Sequence, residues 1–184
     1  ASNDAKFAGL RSEFSQFALG TSALPPAVLE KFKFLTTSVG DDVVEVPPEA
    51  IPGVFRTLKE SGRFDMFLDV TCVDFLNNMV GRNKRFDVVY HMFSTKTFSR
   101  LRVKTRVNEG ESVPTITKIY KAANWFEREA WDMFGVVFEG HPNLTRILTH
   151  HEFVGHPLRK DYDADFQQHC SMALPVHFEN DPNF

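Results

Sequence analysis

The sequence predicts an α+β domain: an antiparallel sheet with helices packed against it, plus an extended C-terminal tail. Three observations lead there. Residues 64–107 fall into three apolar runs with strand-like alternation, separated by short polar segments. The stretches before and after them carry apolar residues at helical spacing instead. Strands joined by such short connections become antiparallel neighbours, because parallel strands need long crossovers. Helices, a meander of strands, then helices again is the order of an α+β layer structure.

The elements follow in chain order. Phe7, Leu10, Phe14, Phe17 and Ala18 within residues 3–20 share one helical face. Gly20 ends that pattern and Pro25-Pro26 opens the next. Proline is tolerated in a first helical turn, so residues 27–37 are expected to form a second helix. Residues 42–46 read as a short strand, Pro47-Pro48 break it, and residues 49–61 read as a helix ending at Gly62. Phe64, Met66, Leu68, Val70 and Cys72 then alternate with Asp65, Phe67, Asp69, Thr71 and Val73. Apolar groups on both sides predict a largely buried strand. Residues 77–84 form a polar hairpin loop, and strands over 85–95 and 98–107 meet at a tight turn.

Arg100, Arg102, Lys104 and Arg106 occupy one face of the last strand, since side chains alternate. That face reads as a solvated exterior, or as a dock for an acidic partner. Asp69 and Asp74 flank the first strand's end and read as turn anchors or ion-pair partners rather than catalysts. Residues 117–123 read as a short helix. Asn124, with Glu127 three positions on, has the spacing of a capping box for a helix over 125–134. Gly135 then stands where a left-handed helix end belongs, and Arg128 is placed to pair with Asp132 one turn away. Gly140-His141-Pro142 recurs as Gly155-His156-Pro157, two shaped corners. Past Tyr162 no period remains, so the domain is expected over 1–162 and the tail over 163–184.

Composition excludes several functions. A net charge of −3 and a pI near 6.2 do not suit a nucleic-acid binder. No run reaches the roughly 20 apolar residues of a membrane span. Residues 1–6 lack the apolar core of a secretory signal, so a soluble, cytosol-facing protein is expected. The only two cysteines, Cys72 and Cys170, cannot supply the four cysteine ligands that usually hold an iron–sulfur cluster. There is no GxGxxG, P-loop, HExxH or GxSxG. Two other readings remain open: a zinc-dependent hydrolase on His141, His150, His151 and His156, with His169 or Cys170 as a further ligand, whose spacing fits no zinc motif, and an RNA-binding domain on the basic strand.

The densest stretch runs Glu127-Arg128-Glu129-Ala130-Trp131-Asp132-Met133-Phe134-Gly135, continues through His141, Ile147 and Leu148, and is followed by Gly155-His156-Pro157-Leu158-Arg159-Lys160-Asp161-Tyr162. It resembles the signature of the 30-kDa (C-type) subunit of respiratory NADH:quinone oxidoreductase, complex I. The resemblance is sharp over 114–162 and extends back to about residue 40. It departs at Thr145, where the family usually has a basic residue or proline, although Arg146 follows. The resemblance implies a non-redox scaffold subunit of the peripheral arm of a proton-pumping enzyme. It implies docking to the large 49-kDa-like (D-type) subunit, whose site receives quinone. NADH, FMN, iron–sulfur clusters and quinone would sit on partner subunits, with no cofactor, metal or catalytic residue on this chain. Membrane association would come only through the complex, at the cytoplasmic face of a bacterial inner membrane or the matrix face of a mitochondrial one. The partner-binding residues expected on this basis are Glu127, Arg128, Glu129, Trp131, Asp132, Phe134, His141, Arg146, His156, Arg159, Lys160, Asp161 and Tyr162.

Overall fold

The computed structural model describes residues 7–12, 14, 30–36 and 42–168. A five-stranded sheet organises them, built from β1 (Lys33–Thr36), β2 (Asp42–Glu45), β3 (Met66–Asp74), β4 (Phe86–Phe93) and β5 (Arg100–Val107). Its spatial order is β1-β2-β5-β4-β3. Three of the four pairings are antiparallel; β2 lies parallel to β5, with Val44 opposite Val103. The sheet is therefore mixed. The segment between β2 and β5 holds two strands and helix α1 (Ile51–Glu60), ample for the crossover that a parallel pair requires. The α+β class holds, and the β3-β4-β5 meander has the antiparallel neighbours its short connections predict.

One face of the sheet carries the core. Val44, Val70, Cys72, Val88, Tyr90, Met92, Leu101 and Val103 are buried there. Helix α1 covers them with Val54, Phe55 and Leu58, and the Phe55 and Tyr90 rings lie 4.8 Å apart. Helix α2 (Ala123–Phe134) packs against β3, with Phe126 6.1 Å from Phe67. Buried Phe7, Leu10 and Phe14 come from the amino-terminal helical residues, as their spacing predicts; Phe17 and Ala18 lie outside the described residues. Two three-residue strands, β6 (Ser112–Pro114) and β7 (Val137–Glu139), form a small parallel pair beside α2.

Four expectations change. Residues 33–36, expected in a helix, form β1. Phe32 and Phe34, two positions apart, turn to one side and meet Phe14 at 5.8 Å and Phe7 at 5.3 Å, a contact pattern of extended chain. Strand β3 is an edge strand, with Met66 and Val73 exposed, whereas β4 is the strand buried on both sides. Residues 117–122 make hydrogen-bonded turns instead of a helix. Helix α2 starts at Ala123 without a side-chain cap, so Asn124 lies inside it. No capping box forms, because Glu127 is engaged elsewhere.

Two of the four basic residues on the outer face of β5, Arg102 and Arg106, find partners in their own sheet. Arg106 donates to Glu45 at 2.8 Å and lies 3.5 Å from Asp87. Arg102 donates to His91 Nε2, so the His91 proton sits on Nδ1, facing Asp69 at 2.5 Å. No helix among the described residues is long and apolar enough to cross a membrane.

Candidate docking site around helix α2

Glu127 projects inward from α2 and is fully buried. It accepts hydrogen bonds from the Ile116 amide at 2.9 Å and the Thr115 hydroxyl, tying the loop after β6 to the helix. Burial pushes its pKa up to about 7, against the downward pull of these two bonds. An acid whose folded pKa exceeds its unfolded value near 4.5 favours the fold only while protonated. Its contribution is full below about pH 4.5 and is lost as pH rises to about 7. Glu127→Gln, which keeps an acceptor for Ile116, is therefore expected to flatten this part of the stability profile. Urea midpoints measured across roughly pH 4 to 8 check this, and an unchanged slope contradicts it.

Asp132, one turn further along, has no exposed surface. It accepts from the amides of Ile147, Leu148 and Thr149 at 2.9–3.1 Å, from the Thr149 hydroxyl, and from Arg146 at 2.6 Å. Burial alone would raise its pKa; the Thr149, Leu148 and Arg146 bonds outweigh that and hold it well below the usual carboxylate range. The expected Arg128–Asp132 pair does not form. Arg128 instead donates to the carbonyls of Thr145 and Arg146 at 3.0 and 2.9 Å. Thus α2 holds residues 145–149 from two sides. The Arg146 guanidinium lies 5.5 Å from both the Trp131 and Phe153 ring centres.

The second Gly-His-Pro corner closes the carboxyl end of α2. A helix leaves its last carbonyls unpaired. Here His156 Nδ1 donates to the Asp132 carbonyl at 2.9 Å, and the Leu158 amide donates to the Met133 carbonyl at 3.0 Å. A carbonyl only accepts, so the His156 proton is on Nδ1. Gly135 ends the helix at φ 78°, as its position predicts, and a Cβ there would come within 2.6 Å of the His156 ring. Gly155 has φ 90°, and a Cβ would meet the Tyr162 ring at 2.9 Å. The first corner turns His141 back on α2: Nε2 donates to the Asn124 carbonyl, and Nδ1 accepts from the Asn143 amide.

A second ionic node pins residues 159–161 to the sheet. Arg85, at the foot of β4, donates to both oxygens of buried Asp74 at 2.9 and 2.7 Å, and to both oxygens of Asp161 at 3.0 and 2.7 Å. The Lys160 amide donates to Asp74 at 2.9 Å. Arg159 pairs with Glu109 and lies over the Phe86 ring. Tyr162 stacks on Phe153 and accepts from Gln168, whose amide group also bonds both the amide and the carbonyl of Val154. Residues 163–168 thus fold back on the preceding segment, while residues 169–184 lie outside the described residues.

Of the thirteen residues singled out in the sequence, the structure gathers most around α2 and the 141–162 segment. Glu129 is exposed, while Trp131 and Phe134 are half-buried against the core. Arg85, Asp74, Glu109, Thr115 and Thr149 complete the site without having been assigned to it from sequence; Asp74 alone stood out, as an anchor. Among the described residues no group of three His, Cys, Asp or Glu could hold a metal ion. Cys72 is buried, and burial together with Asp87 drives its thiol pKa far upward.

Residues 44–168 match the family model described as the 30-kDa subunit of respiratory-chain NADH dehydrogenase. The chain is 59% identical over 154 residues to the NADH-quinone oxidoreductase C/D subunit of Bdellovibrio bacteriovorus, covering 84% of this chain and 27% of that protein. It is 45% identical over 121 residues to the NADH-quinone oxidoreductase C-type subunit of Roseobacter denitrificans, covering 65% of this chain and 59% of the relative. Against the mitochondrial NADH dehydrogenase [ubiquinone] iron-sulfur protein 3 of Candida albicans the identity is 43% over 152 residues, with 82% and 52% covered. The chain therefore spans less than two thirds of each relative's length. Among solved structures, a trypsin-resistant fragment of Nqo5 matches with TM-score 0.58 at 33% identity, covering 62% of this chain and 91% of the fragment. A chain of an archaeal membrane-bound sulfane sulfur reductase matches with TM-score 0.65 at 27% identity over 86% of both chains. These matches favour neither a zinc hydrolase nor an RNA-binding domain.

Proposed function

The chain belongs to the family of the 30-kDa subunit of respiratory-chain NADH dehydrogenase, and from that premise we propose that it is a non-redox scaffold subunit in the peripheral arm of an NADH:quinone oxidoreductase. It docks the large, 49-kDa-like subunit whose site receives quinone. NADH, FMN, iron–sulfur clusters and quinone are bound by partners, and this chain holds them in relative position. The complex lies at the cytoplasmic face of a bacterial inner membrane or the matrix face of a mitochondrial one.

One observation carries the docking assignment. Residues 143–168 have neither helix nor strand, yet they are held in place by Asp132, Arg85 and the closure of α2. From this fixed support Leu148, Val154, Leu158 and Phe166 all face solvent. Exposed apolar residues scattered singly are ordinary; these four project from one hydrogen-bonded segment, which is therefore read as the interaction surface. The relative whose name joins C and D in one polypeptide supports the large subunit as the neighbour. The ionic contacts of Arg146, Arg159 and Asp161 shape this surface from within, and Trp131 and His156 back it, Trp131 against Arg146 and His156 at the end of α2. Capture of a separately expressed large subunit on the tagged chain tests the reading, with iron and flavin analysis of the isolated chain, which is expected to lack both.

A further inference from the structure

At the amino end of α2 the use of charge changes. Elsewhere in the described chain the basic side chains are largely spent on internal partners, among them Arg82 on Asp87, Arg106 on Glu45 and Arg146 on Asp132. The side chains of Lys118 and Lys121 have no hydrogen bond or ion pair among the described residues and stand in solvent. They share an open depression of about 530 Å³ with Asn124, Trp125, Gly140 and Pro142, and among the described residues no acidic one lines it. Trp125 is 69% exposed. Its neighbour Phe126 turns inward onto Phe67, so the helix has an apolar anchor on each side, and only the inner one is covered.

Tryptophan carries about 150–250 Å² of buriable surface, and covering it releases roughly 25 cal/mol per Å² of apolar area. It is also among the residues most often found at binding hot spots. Two unpaired lysines beside it reject a basic partner and draw an acidic one. We propose that this depression docks an acidic segment of a neighbouring subunit, with an apolar side chain seated on the Trp125 indole and carboxylates facing Lys118 and Lys121. The inference rests on the reading of the chain as a docking subunit. It adds a contact about 10 Å along the helix axis from Asp132, at the opposite end of α2 from the 155–158 closure.

The test uses the assembled complex. A photoreactive benzoylphenylalanine replaces Trp125 in the tagged chain, the complex is affinity-purified and irradiated, and cross-linked peptides are identified by mass spectrometry. The expected product joins position 125 to a peptide of another subunit in which Asp and Glu outnumber Lys and Arg. Lys118→Glu with Lys121→Glu is expected to lower its yield about tenfold, since like charges facing each other cost more than the roughly 1.4 kcal/mol of one decade. The melting temperature of the isolated chain should stay unchanged. Recovery of the complex with no cross-link from position 125 to another subunit overturns the inference and leaves the scaffold reading standing. So does a cross-link to a segment without acidic excess, or an undiminished yield in the double variant. A chain that fails to co-purify with other subunits overturns both.

Discussion

Asp132→Ala is expected to lower the melting temperature of the isolated chain by roughly 6–20 °C. The carboxylate is fully buried and gathers five donors, three of them successive amides of the 147–149 turn. Removing one partner of a buried ion pair costs about 3–5 kcal/mol, because the other charge stays behind unpaired. In a domain of this size each kcal/mol moves the midpoint by about 2–4 °C. Arg146 is the charge left behind, held between Trp131 and Phe153 with its own bond to the Gly155 carbonyl. Loss of Asp132 therefore loosens both the 145–149 turn and the corner that closes α2. Thermal melting followed by circular dichroism reads the effect. A shift below about 2 °C would show that the turn is held by something other than this carboxylate.

Arg85→Met is expected to cost a similar amount, about 3–5 kcal/mol at neutral pH, for the same physical reason. It strands Asp74, whose side chain has no exposure, and leaves Asp161 and Glu109 with Arg159 as their remaining cation. A pH signature separates this effect from simple loss of packing. Burial alone would raise the pKa of Asp74, but the Arg85 pair and the Lys160 and Leu76 amides bring it down to about 2. A folded-state pKa below the unfolded value near 3.8 contributes stability that is complete above about pH 4. That contribution is lost as pH falls towards 2. The gap between wild type and Arg85→Met should therefore be widest at neutral pH and narrow through this acid window. Denaturant midpoints at about pH 7, 4 and 3 measure it. A gap that stays constant with pH contradicts the assigned role of the Asp74–Arg85 pair.

The local part of the fold was legible in the sequence. The period-two runs located β3, β4 and β5, and Gly135 marked the end of α2 at the residue where the chain turns left-handed. What failed was decided by contacts between distant residues. Residues 33–36 are expected in a helix only because Pro25-Pro26 suits a first helical turn, but pairing with β2 and the Phe7–Phe34 contact hold them extended. The parallel match of β2 with β5 rests on four residues, too few for any periodicity to reveal, and β6 and β7 are shorter still. The site shows the same division. The resemblance singled out Glu127, Asp132, Arg146 and Asp161 as partner-binding residues, while the local pattern gave Glu127 and Asp132 only uses within their own helix. Glu127 looked like a cap and is a buried acceptor for a loop that precedes the helix. Asp132 looked like the partner of Arg128 and instead binds residues fourteen to seventeen positions on. Arg85 stood at the start of a strand, with nothing nearby to show that its partner lies 76 residues away.

The most direct test of the scaffold assignment is capture of the separately expressed large subunit by the tagged chain, compared with a Leu148→Asp, Val154→Asp variant. Both positions are well exposed, so the variant should melt within about 4 °C of wild type, as each surface change usually costs no more than about 0.5 kcal/mol. The predicted result is stable capture by wild type and at least a tenfold loss by the variant, with both proteins folded and free of iron and flavin. Equal capture by the two would remove the docking surface from the 146–168 segment, and no capture by folded wild type would contradict the scaffold role itself.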